Sequence, residues 1–469
     1  MTAARRPWPA LAAAFAATLA LTSSAVASPA VAEPPRTFTD SWAKGAPVTI
    51  APGVTHTTWT ETPTAAEAKV RSARLLQIVE IDPSTAPVTL ESAFGTADGL
   101  PELVETQLKG TAYTTRHPHA GVNGGLFRAE DPNGNATHTG VAVTDGVLHS
   151  SSCWGGGEGT SGAVIQYGVP YITKLLTKLT LTTARGETVT LDDINRNPGR
   201  ARGCQRDAED LKISGSLFSD TDEIVLFTND YGAPLPQPGT DTYKLPAGKD
   251  DTGYEVVIDA TGTVVDAHEG RGRVTVTDPP TFPAGHRVLQ GIGSGADWLR
   301  THLALDDRVS VDQKLTDTTL KRDIRLDASV DVVGSFHQLL RNGAALAGAP
   351  HSCNGQVPGK DGTTIICTDS RTALGTTTEG RSVLVTLTGD GIEDGDYVDT
   401  FAKLLDAEEL GLVDVLNLDG GGSTTLVTHT GGTSTVRTPP TDTGPSGLVH
   451  RKVADTVYTG HGGYGLTAR

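Results

Sequence analysis

Basic residues are scarce in this 469-residue sequence, which has 38 Lys and Arg against 55 Asp and Glu and a formal net charge of −17. Nucleic-acid binding depends largely on Lys and Arg side chains that neutralise phosphates, so no nucleic-acid partner is expected. The sequence has no Gly-x-Ser-x-Gly motif, which removes support for a serine esterase of the α/β-hydrolase type. It also lacks repeats, heptads and a regular alternation of strand and helix patterns, which argues against a doubly wound parallel sheet.

Long apolar runs are missing outside the N-terminus. There, a pair of arginines precedes the apolar run Leu11–Leu21, and two Ala-x-Ala signals follow, ending at Ala27 and Ala32. This order is typical of a cleavable signal peptide, and the run is short for a retained anchor of about 20 residues. We therefore expect residues 1–32 to be removed after Ala27 or Ala32, leaving a secreted, extracellular protein with no membrane span.

Cysteine is rare, with only Cys153, Cys204, Cys353 and Cys367 in the chain. An even number of cysteines in an oxidising compartment predicts two disulfides. Of the three possible pairings we favour Cys353–Cys367 with Cys153–Cys204, because a short bridge across a glycine-rich loop requires little distant folding. No pair has the Cys-x-x-Cys spacing of a redox or zinc site.

Short strands separated by turn residues dominate what is present, in keeping with 55 Gly and 27 Pro. The predicted strands are Ala73–Ile81, Glu223–Thr228, Glu255–Ile258 paired with Thr263–Asp266, Val383–Thr388 and Val413–Leu418. Helices are predicted at Glu102–Leu108, after Pro101, and at about Tyr397–Leu410, with Gly411 as the stop. The expected fold class is α+β, predominantly β, with mixed or antiparallel sheets and a few helices.

Two glycine-rich elements invite a functional interpretation. Asp419-Gly420-Gly421-Gly422-Ser423 lies between two strand patterns, whereas a phosphate loop requires a helix after its glycines. Taken alone, this element predicts a hairpin with an Asp-Gly turn, and Asn123-Gly124 predicts an Asn-Gly hairpin. Three successive glycines also favour a backbone that a ligand or another strand approaches closely.

Five segments together resemble, in the same order, the phosphodiester glycosidase family: Val122–Phe127, Arg371–Gly375, the strand ending at Gly389–Gly391, Asn417–Ser423 and Arg451–Asp455. The resemblance covers about residues 118–465, with weaker likeness back to Val54. Its most specific part is Asn-Leu-Asp-Gly-Gly-Gly-Ser. Two departures concern Asp455, where the family often has Asn, and Gly334–Gly343, where bulkier residues replace a glycine-rich stretch.

This resemblance completes the expected domain organisation. Residues 33–53 are a polar lead-in segment, residues 54–117 an N-terminal αβ subdomain, and residues 118–465 a phosphodiester glycosidase-like domain.

The resemblance implies hydrolysis of the bond between a sugar's anomeric carbon and a phosphodiester oxygen. An oxocarbenium-like transition state requires a nearby carboxylate, and we expect Asp419 to supply it. Asp390 is expected to be the second acid or a binder of sugar hydroxyls. A phosphate leaving group is a weak base, so cationic and N–H donors matter more than a proton. The expected substrate-binding residues are Asn123, Gly124, Arg371, Thr372, Asn417, Gly420, Gly421, Ser423 and Arg451. For each of them, a purely structural role in a turn or on the surface is the simpler alternative.

Metal binding is not expected, although four histidines could suggest a metal site: His117, His119, His138 and His149. Asp131–Asn135 begins like a calcium loop but lacks the required Gly and the Glu at its twelfth position. The acidic cluster Asp390–Asp399 is better explained as a solvated helix start. Calcium is the only cofactor left open.

The leading hypothesis is a secreted hydrolase acting on a sugar-1-phosphodiester. The alternative is a non-catalytic extracellular protein that binds carbohydrate or the cell envelope with the same fold. A third possibility is an ordinary glycosidase acting on sugar-sugar bonds.

Overall fold

Strands form most of the ordered structure in the computed structural model, which describes residues 36–96, 100–112, 116–129, 136–152, 159–199, 222–238, 252–273, 283–389, 395–445 and 447–461. Residues from Phe38 onward form one compact unit. The predicted signal peptide, the Cys153–Cys204 pair, Asp390 and the Asp131–Asn135 loop lie outside the described residues. Those predictions therefore remain predictions. The predicted domain boundaries also remain predictions.

The sheet that carries the glycine-rich turn, here called sheet A, is antiparallel throughout. In spatial order its strands are Trp42–Lys44, Val54–Glu61, Leu75–Ile81, Ser382–Thr388, Arg371–Thr377, Leu412–Asn417, Gln338–Arg341 and Ala344–Ala345, with Val48–Ala51 also paired to Val54–Glu61.

A second antiparallel sheet, sheet B, receives the chain after the glycine-rich turn. Its strands in spatial order are Thr433–Val436, Leu426–Thr430, His117–Asn123, Asp455–His461 and Val88–Phe94.

Two further sheets pack beside these. Sheet C has the order Val147–Ser150, Ala142–Thr144, Val330–Gly334, Thr160–Gln166, Val169–Thr183, Val309–Asp317 and Arg322–Ile324, with Thr188–Leu191 paired to Val169–Thr183. Sheet D has the order Asp193–Ile194, Ile224–Phe227, Arg287–Gly291, Tyr254–Ile258 and Val264–Glu269, and its first two strands are parallel.

The remaining elements are short. Two-stranded ribbons pair Phe127–Ala129 with Ala136–His138, Gln356–Pro358 with Ile365–Cys367, and Asp442–Gly444 with Gly447–Val449. The α-helices are Phe38–Ser41, Val104–Ala112, Gly293–His302 and Val398–Leu405, and the 3-10 turns are Glu67–Lys69, Asn229–Tyr231, Glu408–Leu410 and Gly421–Ser423. Each helix among the described residues falls short of the length and apolar character needed to span a lipid bilayer.

The core that positions the glycine-rich turn lies where sheets A, B and C face one another. Leu374, Leu384 and Leu416 of sheet A pack with Val122 and Val457 of sheet B in one buried cluster. The opposite face of sheet A is covered by the helix Val398–Leu405, whose Phe401 and Leu405 are fully buried. Burial of each such side chain contributes about 1.5–3 kcal/mol, so this packing fixes the sheet edges from which the turn emerges.

The predicted fold class is confirmed, since most described elements are strands and nearly all pair antiparallel. The predicted Glu255–Ile258 hairpin is present as Tyr254–Ile258 paired with Val264–Glu269. The late helix is shorter than predicted and ends at Leu405. A separate 3-10 turn follows, and Gly411 ends that turn in a left-handed conformation with φ 61°. The apolar face of the helix pattern ends with Leu405, so packing no longer supports the helix beyond it.

The predicted Cys353–Cys367 disulfide is present and closes a loop with a sequence separation of 14. Its second cysteine ends the strand Ile365–Cys367, four residues before Arg371. The bridge therefore anchors the segment that leads into sheet A.

We predict that the double substitution Cys353→Ser and Cys367→Ser lowers the free energy of unfolding by about 3 kcal/mol, the value for a loop of about 15 residues in the chain-entropy model. Urea unfolding followed by tryptophan fluorescence measures it. The control is the same comparison under full reduction, where the difference between the two proteins should disappear. An unchanged midpoint under oxidising conditions would contradict the prediction.

Candidate functional site

The triple-glycine turn carries the chain from sheet A to sheet B. The strand Leu412–Asn417 pairs with Arg371–Thr377 in sheet A, whereas the next strand, Leu426–Thr430, pairs with His117–Asn123 in sheet B. The hairpin interpretation of this element is therefore wrong, because the strands on its two sides lie in different sheets and do not pair with each other. Between them, Gly421–Ser423 forms a single 3-10 turn.

The Asn123-Gly124 element is not a hairpin either. Its strand, His117–Asn123, lies between Leu426–Thr430 and Asp455–His461, while the following strand, Phe127–Ala129, pairs elsewhere. This arrangement places the end of the His117–Asn123 strand directly beside the triple-glycine turn.

The side-chain amide of Asn123 joins the two sheets. Its Nδ2 donates to the carbonyl of Asp419 at 2.8 Å, and its Oδ1 accepts from the hydroxyl of Thr372 at 2.8 Å. The same Oδ1 accepts from the backbone N–H of Thr425 at 3.1 Å. Asn123 is fully buried. Residues almost 300 positions apart therefore meet at the turn.

Glycine is required at the turn because backbone and charged side chains lie against it. A β-carbon on Gly420 would lie 2.7 Å from the carbonyl oxygen of Ser370 and 3.3 Å from Nη1 of Arg371. A β-carbon on Gly422 would lie 1.9 Å from Oδ1 of Asp442 and 2.5 Å from Nη2 of Arg451. Gly421 has φ 59°, a left-handed conformation that favours glycine. The two cations thus flank the turn on either side.

Asp419 lies at the start of the turn, and its carboxylate is held by two local donors. Oδ1 accepts from the N–H of Gly420 at 2.9 Å, and Oδ2 accepts from the hydroxyl of Ser423 at 2.6 Å. Burial, with a smaller contribution from the charge of Asp455, raises the pKa of Asp419 to about 6. The bonds from Ser423 and Gly420 and the charge of Arg451 act in the opposite direction. The result is a carboxyl group that titrates close to neutral pH.

The two arginines are fixed by different partners. Arg371 donates from Nε to the carbonyl of Asp396 at 2.7 Å and from Nη2 to the carbonyl of Ser352 at 3.1 Å. Arg451 forms a bidentate pair with Asp442, with both contacts at 2.7 Å. Pairing with Asp442 raises the pKa of Arg451, while burial lowers that of Arg371. Both guanidinium groups are therefore held in place before any ligand arrives.

Burial divides the predicted binding residues into two groups. Asn123, Gly124, Arg371, Thr372, Asn417 and Ser423 are buried, whereas Asp419, Gly420, Gly421, Gly422 and Arg451 are partly exposed. Asn417 donates from Nδ2 to the carbonyl of Leu418 at 2.7 Å, while its buried Oδ1 has no hydrogen-bond partner among the described residues. The partly exposed residues are therefore the ones that a ligand could contact directly.

Three carboxylates close to the turn were not predicted as site residues. Asp442 holds Arg451, Asp369 lies 3.7 Å from Arg371, and Asp455 stands behind Gly124, where a β-carbon would lie 2.4 Å from its carboxyl. Asp455 was noted only as a departure from the family pattern, and the sequence around the other two carries no motif.

The two cysteines near the site have no free thiolate that could bind a metal ion. Cys353, Cys367 and Asp369 lie together, but the two sulfurs are bonded to each other. Asp390, the predicted second acid, is outside the described residues.

Two large cavities, of about 580 and 570 Å³, lie away from the glycine turn. The first is lined by residues such as Phe94, Arg116 and His149. The turn is a better candidate site than these cavities, because a carboxylate and two guanidinium groups converge on it.

Comparisons with known proteins concern the family and the fold. Residues 252–459 match the model of the family described as phosphodiester glycosidase, which confirms the resemblance first noted in the sequence. The matched part contains Arg371, Asp419 and Arg451, whereas Asn123 precedes it. No curated protein matches the chain.

Among solved structures, an exported protein of Burkholderia pseudomallei has 20% identity and a TM-score of 0.66, covering 89% of this chain and 96% of that one. A hypothetical protein of Synechocystis has 17% identity and a TM-score of 0.55, covering 87% and 62%. These two share the fold. The catalytic domain of zebrafish N-acetylglucosamine-1-phosphodiester alpha-N-acetylglucosaminidase has 13% identity over 90% and 88% of the chains, with a TM-score of 0.35 that is too low to support an argument.

We predict that Gly124→Ala destabilises the protein by about 1–3 kcal/mol, because the added methyl group overpacks the buried carboxyl of Asp455. Gly110→Ala is the matched control. A β-carbon on this helical residue meets nothing within 4 Å, so the substitution should be neutral or stabilising by about 0.5–1 kcal/mol. Thermal unfolding compares the two, and equal melting temperatures would contradict the prediction.

Proposed function

We propose that the chain is a secreted hydrolase that cleaves the C1–O bond of a sugar-1-phosphodiester, giving free sugar and a phosphomonoester. The observation that carries this proposal is the convergence of Asp419, Arg371 and Arg451 on one glycine turn. The family match over residues 252–459 supports the reaction class. The disulfide and the exported relative of the same fold support the location.

In this proposal the carboxylate of Asp419 acts on the anomeric carbon. The transition state for cleavage carries positive charge on the sugar ring, and an ionised carboxylate beside it lowers its free energy. The pKa of about 6 leaves Asp419 mainly ionised at neutral pH. Partial exposure of Asp419 allows a ligand to reach it. Asp390 is kept as the second carboxyl group or as a binder of sugar hydroxyls.

The phosphate group is proposed to lie over the glycine turn. Arg451 is partly exposed and is already oriented by Asp442, so little side-chain entropy is lost when it binds an anion. Arg371 is buried behind Gly420 and contributes mainly its charge. Gly420 and Gly421 would allow the phosphate to approach the backbone closely, while their own N–H groups donate to Oδ1 of Asp419 and to the carbonyl of Ser370. A leaving phosphate that is stabilised in this way needs little protonation.

The buried residues of the predicted set are proposed to position the others. Asn123 fixes the backbone at Asp419, and Thr372 supports Asn123. Ser423 bonds the carboxylate itself. No metal or cofactor is included in this mechanism.

We predict that Asp419→Asn lowers kcat by at least about 100-fold on an activated sugar-1-phosphodiester, because the neutral amide does not stabilise the developing cation. Release of reducing sugar by the purified mature protein is measured across a panel of sugars. Asp361→Asn, in an exposed turn, serves as the control and should keep full activity. In isotopically labelled water the label should enter the sugar and not the phosphate.

Three outcomes separate the competing functions. A wild-type protein that releases no sugar at any pH or calcium concentration, yet binds glycans, is a binding protein. Turnover of phosphate-free glycosides identifies an ordinary glycosidase. Entry of the label into the phosphate identifies a phosphodiesterase and overturns the proposed bond cleavage.

We predict that kcat/KM falls as the pH drops through about 6, since the pKa of Asp419 is raised to that value and the ionised form is the active one. Ser423→Ala removes a hydrogen bond that favours the carboxylate, so the acid limb should move to higher pH. The measurement is kcat/KM between about pH 4 and about pH 8 for both proteins, limits that lie about two units either side of the expected midpoint. A limb that stays in place in Ser423→Ala would show that another group titrates.

A further inference from the structure

The backbone of Asp396 holds Arg371 in place beside the glycine turn. The carbonyl of Asp396 accepts from Nε of Arg371 at 2.7 Å, and its N–H donates to the carbonyl of Asp369 at 3.1 Å. Asp369 and Arg371 lie two positions apart, so Asp396 is bonded to this short segment at two points. The position of the Arg371 guanidinium therefore depends on where Asp396 lies.

The side chain of Asp396 is held in turn by a cation from the N-terminal strands. Arg74 donates from Nη1 to Oδ2 of Asp396 at 2.7 Å. Oδ1 of Asp396 accepts from the N–H of Tyr397 at 2.9 Å and from the hydroxyl of Thr400. The sequence predicts a solvated helix start at Asp390–Asp399, but the side chain of Asp396 is only 14% exposed. Both carboxylate oxygens of Asp396 are therefore fixed.

Arg74 is itself clamped by Glu61. Nε and Nη2 of Arg74 donate to the two carboxylate oxygens of Glu61 at 2.9 and 2.8 Å, and the guanidinium lies 5.7 Å from the ring centroid of Trp42. Both charged residues are buried. Burial opposes the ionisation of Glu61, but the bonds from Arg74 and Arg71 outweigh it and lower the pKa of Glu61 to about 2. The pair of Glu61 and Arg74 therefore stays ionised from about pH 4 upwards.

Arg74 also keeps the charge of Asp396 away from Arg371. The charges of Asp369 and Asp396 both act on Arg371 and favour its protonated form. Without Arg74, the largely buried carboxylate of Asp396 would lose its cation and would be attracted to Arg371. That contact would compete with a bound anion for the same guanidinium.

We propose that Arg74 and Asp396 are positioning residues for an anion-binding Arg371. Both roles rest on the proposed function, in which Arg371 contributes its charge to the phosphate. An arginine that is already oriented loses less side-chain entropy when an anion binds, so the two residues raise affinity without touching the ligand. Glu61 and Arg74 precede residues 252–459, the part that matches the family. The N-terminal strands of sheet A therefore complete the candidate site.

Isothermal titration of the full mature chain with inorganic phosphate tests this inference. Arg74→Met should weaken phosphate binding at least about tenfold, the effect of losing one charge-assisted hydrogen bond. Arg71→Met is the matched control, because Arg71 also bonds Glu61 but its other described bonds go to Glu67 and to the carbonyl of Ser72. It should bind phosphate like the wild type.

A double-substitution cycle separates positioning from a purely structural role. Arg371→Lys keeps a cation for the phosphate but removes the guanidinium that Asp396 orients. If Arg74 acts through Arg371, adding Arg74→Met to Arg371→Lys should change phosphate affinity by less than about twofold. An equal loss of affinity in both backgrounds overturns the inference, as does unchanged affinity in Arg74→Met alone or absence of phosphate binding by the wild type.

Arg74→Lys provides a second route should Arg74→Met fail to fold. A single ammonium group keeps the charge beside Glu61 but does not replace the three guanidinium contacts to Glu61 and Asp396. Phosphate affinity should fall at least about threefold in this variant while its circular dichroism stays unchanged. Undiminished affinity in the folded variant overturns the inference. Binding is measured without turnover, so a protein that binds phosphate in this way but releases no sugar contradicts only the proposed reaction.

Discussion

The hydrogen bonds of the Asn123 side chain are the contact on which the candidate site depends. One amide joins the backbone of Asp419, the hydroxyl of Thr372 and the N–H of Thr425, and so connects sheet A with sheet B at the point where the chain crosses between them. Because Asn123 is fully buried, loss of the amide would leave its partners without hydrogen bonds, at about 1–3 kcal/mol for each buried group. The position of the Asp419 carboxylate thus follows from the packing of two sheets.

The surroundings of the turn raise the pKa of the Asp419 carboxyl group, so that it ionises less readily than usual. Burial and the neighbouring Asp455 oppose its ionisation, while Ser423, Gly420 and Arg451 favour it. A carboxyl group with a raised pKa beside fixed cations marks a candidate functional site, and structural ion-pair networks perturb pKa values as well. The partial exposure of Asp419 favours the first interpretation. The same desolvation lowers the stability of the folded chain above pH 6, because the unfolded chain ionises this group more readily.

Local patterns were sufficient to predict the elements but not their partners. The strand predicted at Ala73–Ile81 is present as Leu75–Ile81, since a run of Leu, Ile and Val that is buried on both faces leaves little choice. The hairpin predicted at Glu255–Ile258 is present, whereas the hairpins predicted at the two glycine-rich elements are absent. At those elements strand pairing is decided by packing across the molecule, which turn residues do not report. The meeting of Asn123 with Asp419 was expected from the family resemblance and not from any pattern in the residues. Asp442 and Asp369 were missed because an isolated acid in a loop gives no signal of the arginine that it will hold.

The three successive glycines can be explained by packing alone, without a bound ligand. Each glycine costs about 0.5–1 kcal/mol of chain entropy, so three cost about 1.5–3 kcal/mol. Overpacking costs about 1–3 kcal/mol at each site, and a β-carbon at Gly420 or Gly422 would collide with the carbonyl of Ser370 or with the paired side chains of Asp442 and Arg451. The close approach of these groups is therefore reason enough for glycine at these two positions. What packing does not explain is why a carboxyl group whose pKa is raised to about 6 is kept partly exposed between two arginines that Asp442 and Asp369 already neutralise, since its desolvation costs stability. A functional role for Asp419 would account for that cost.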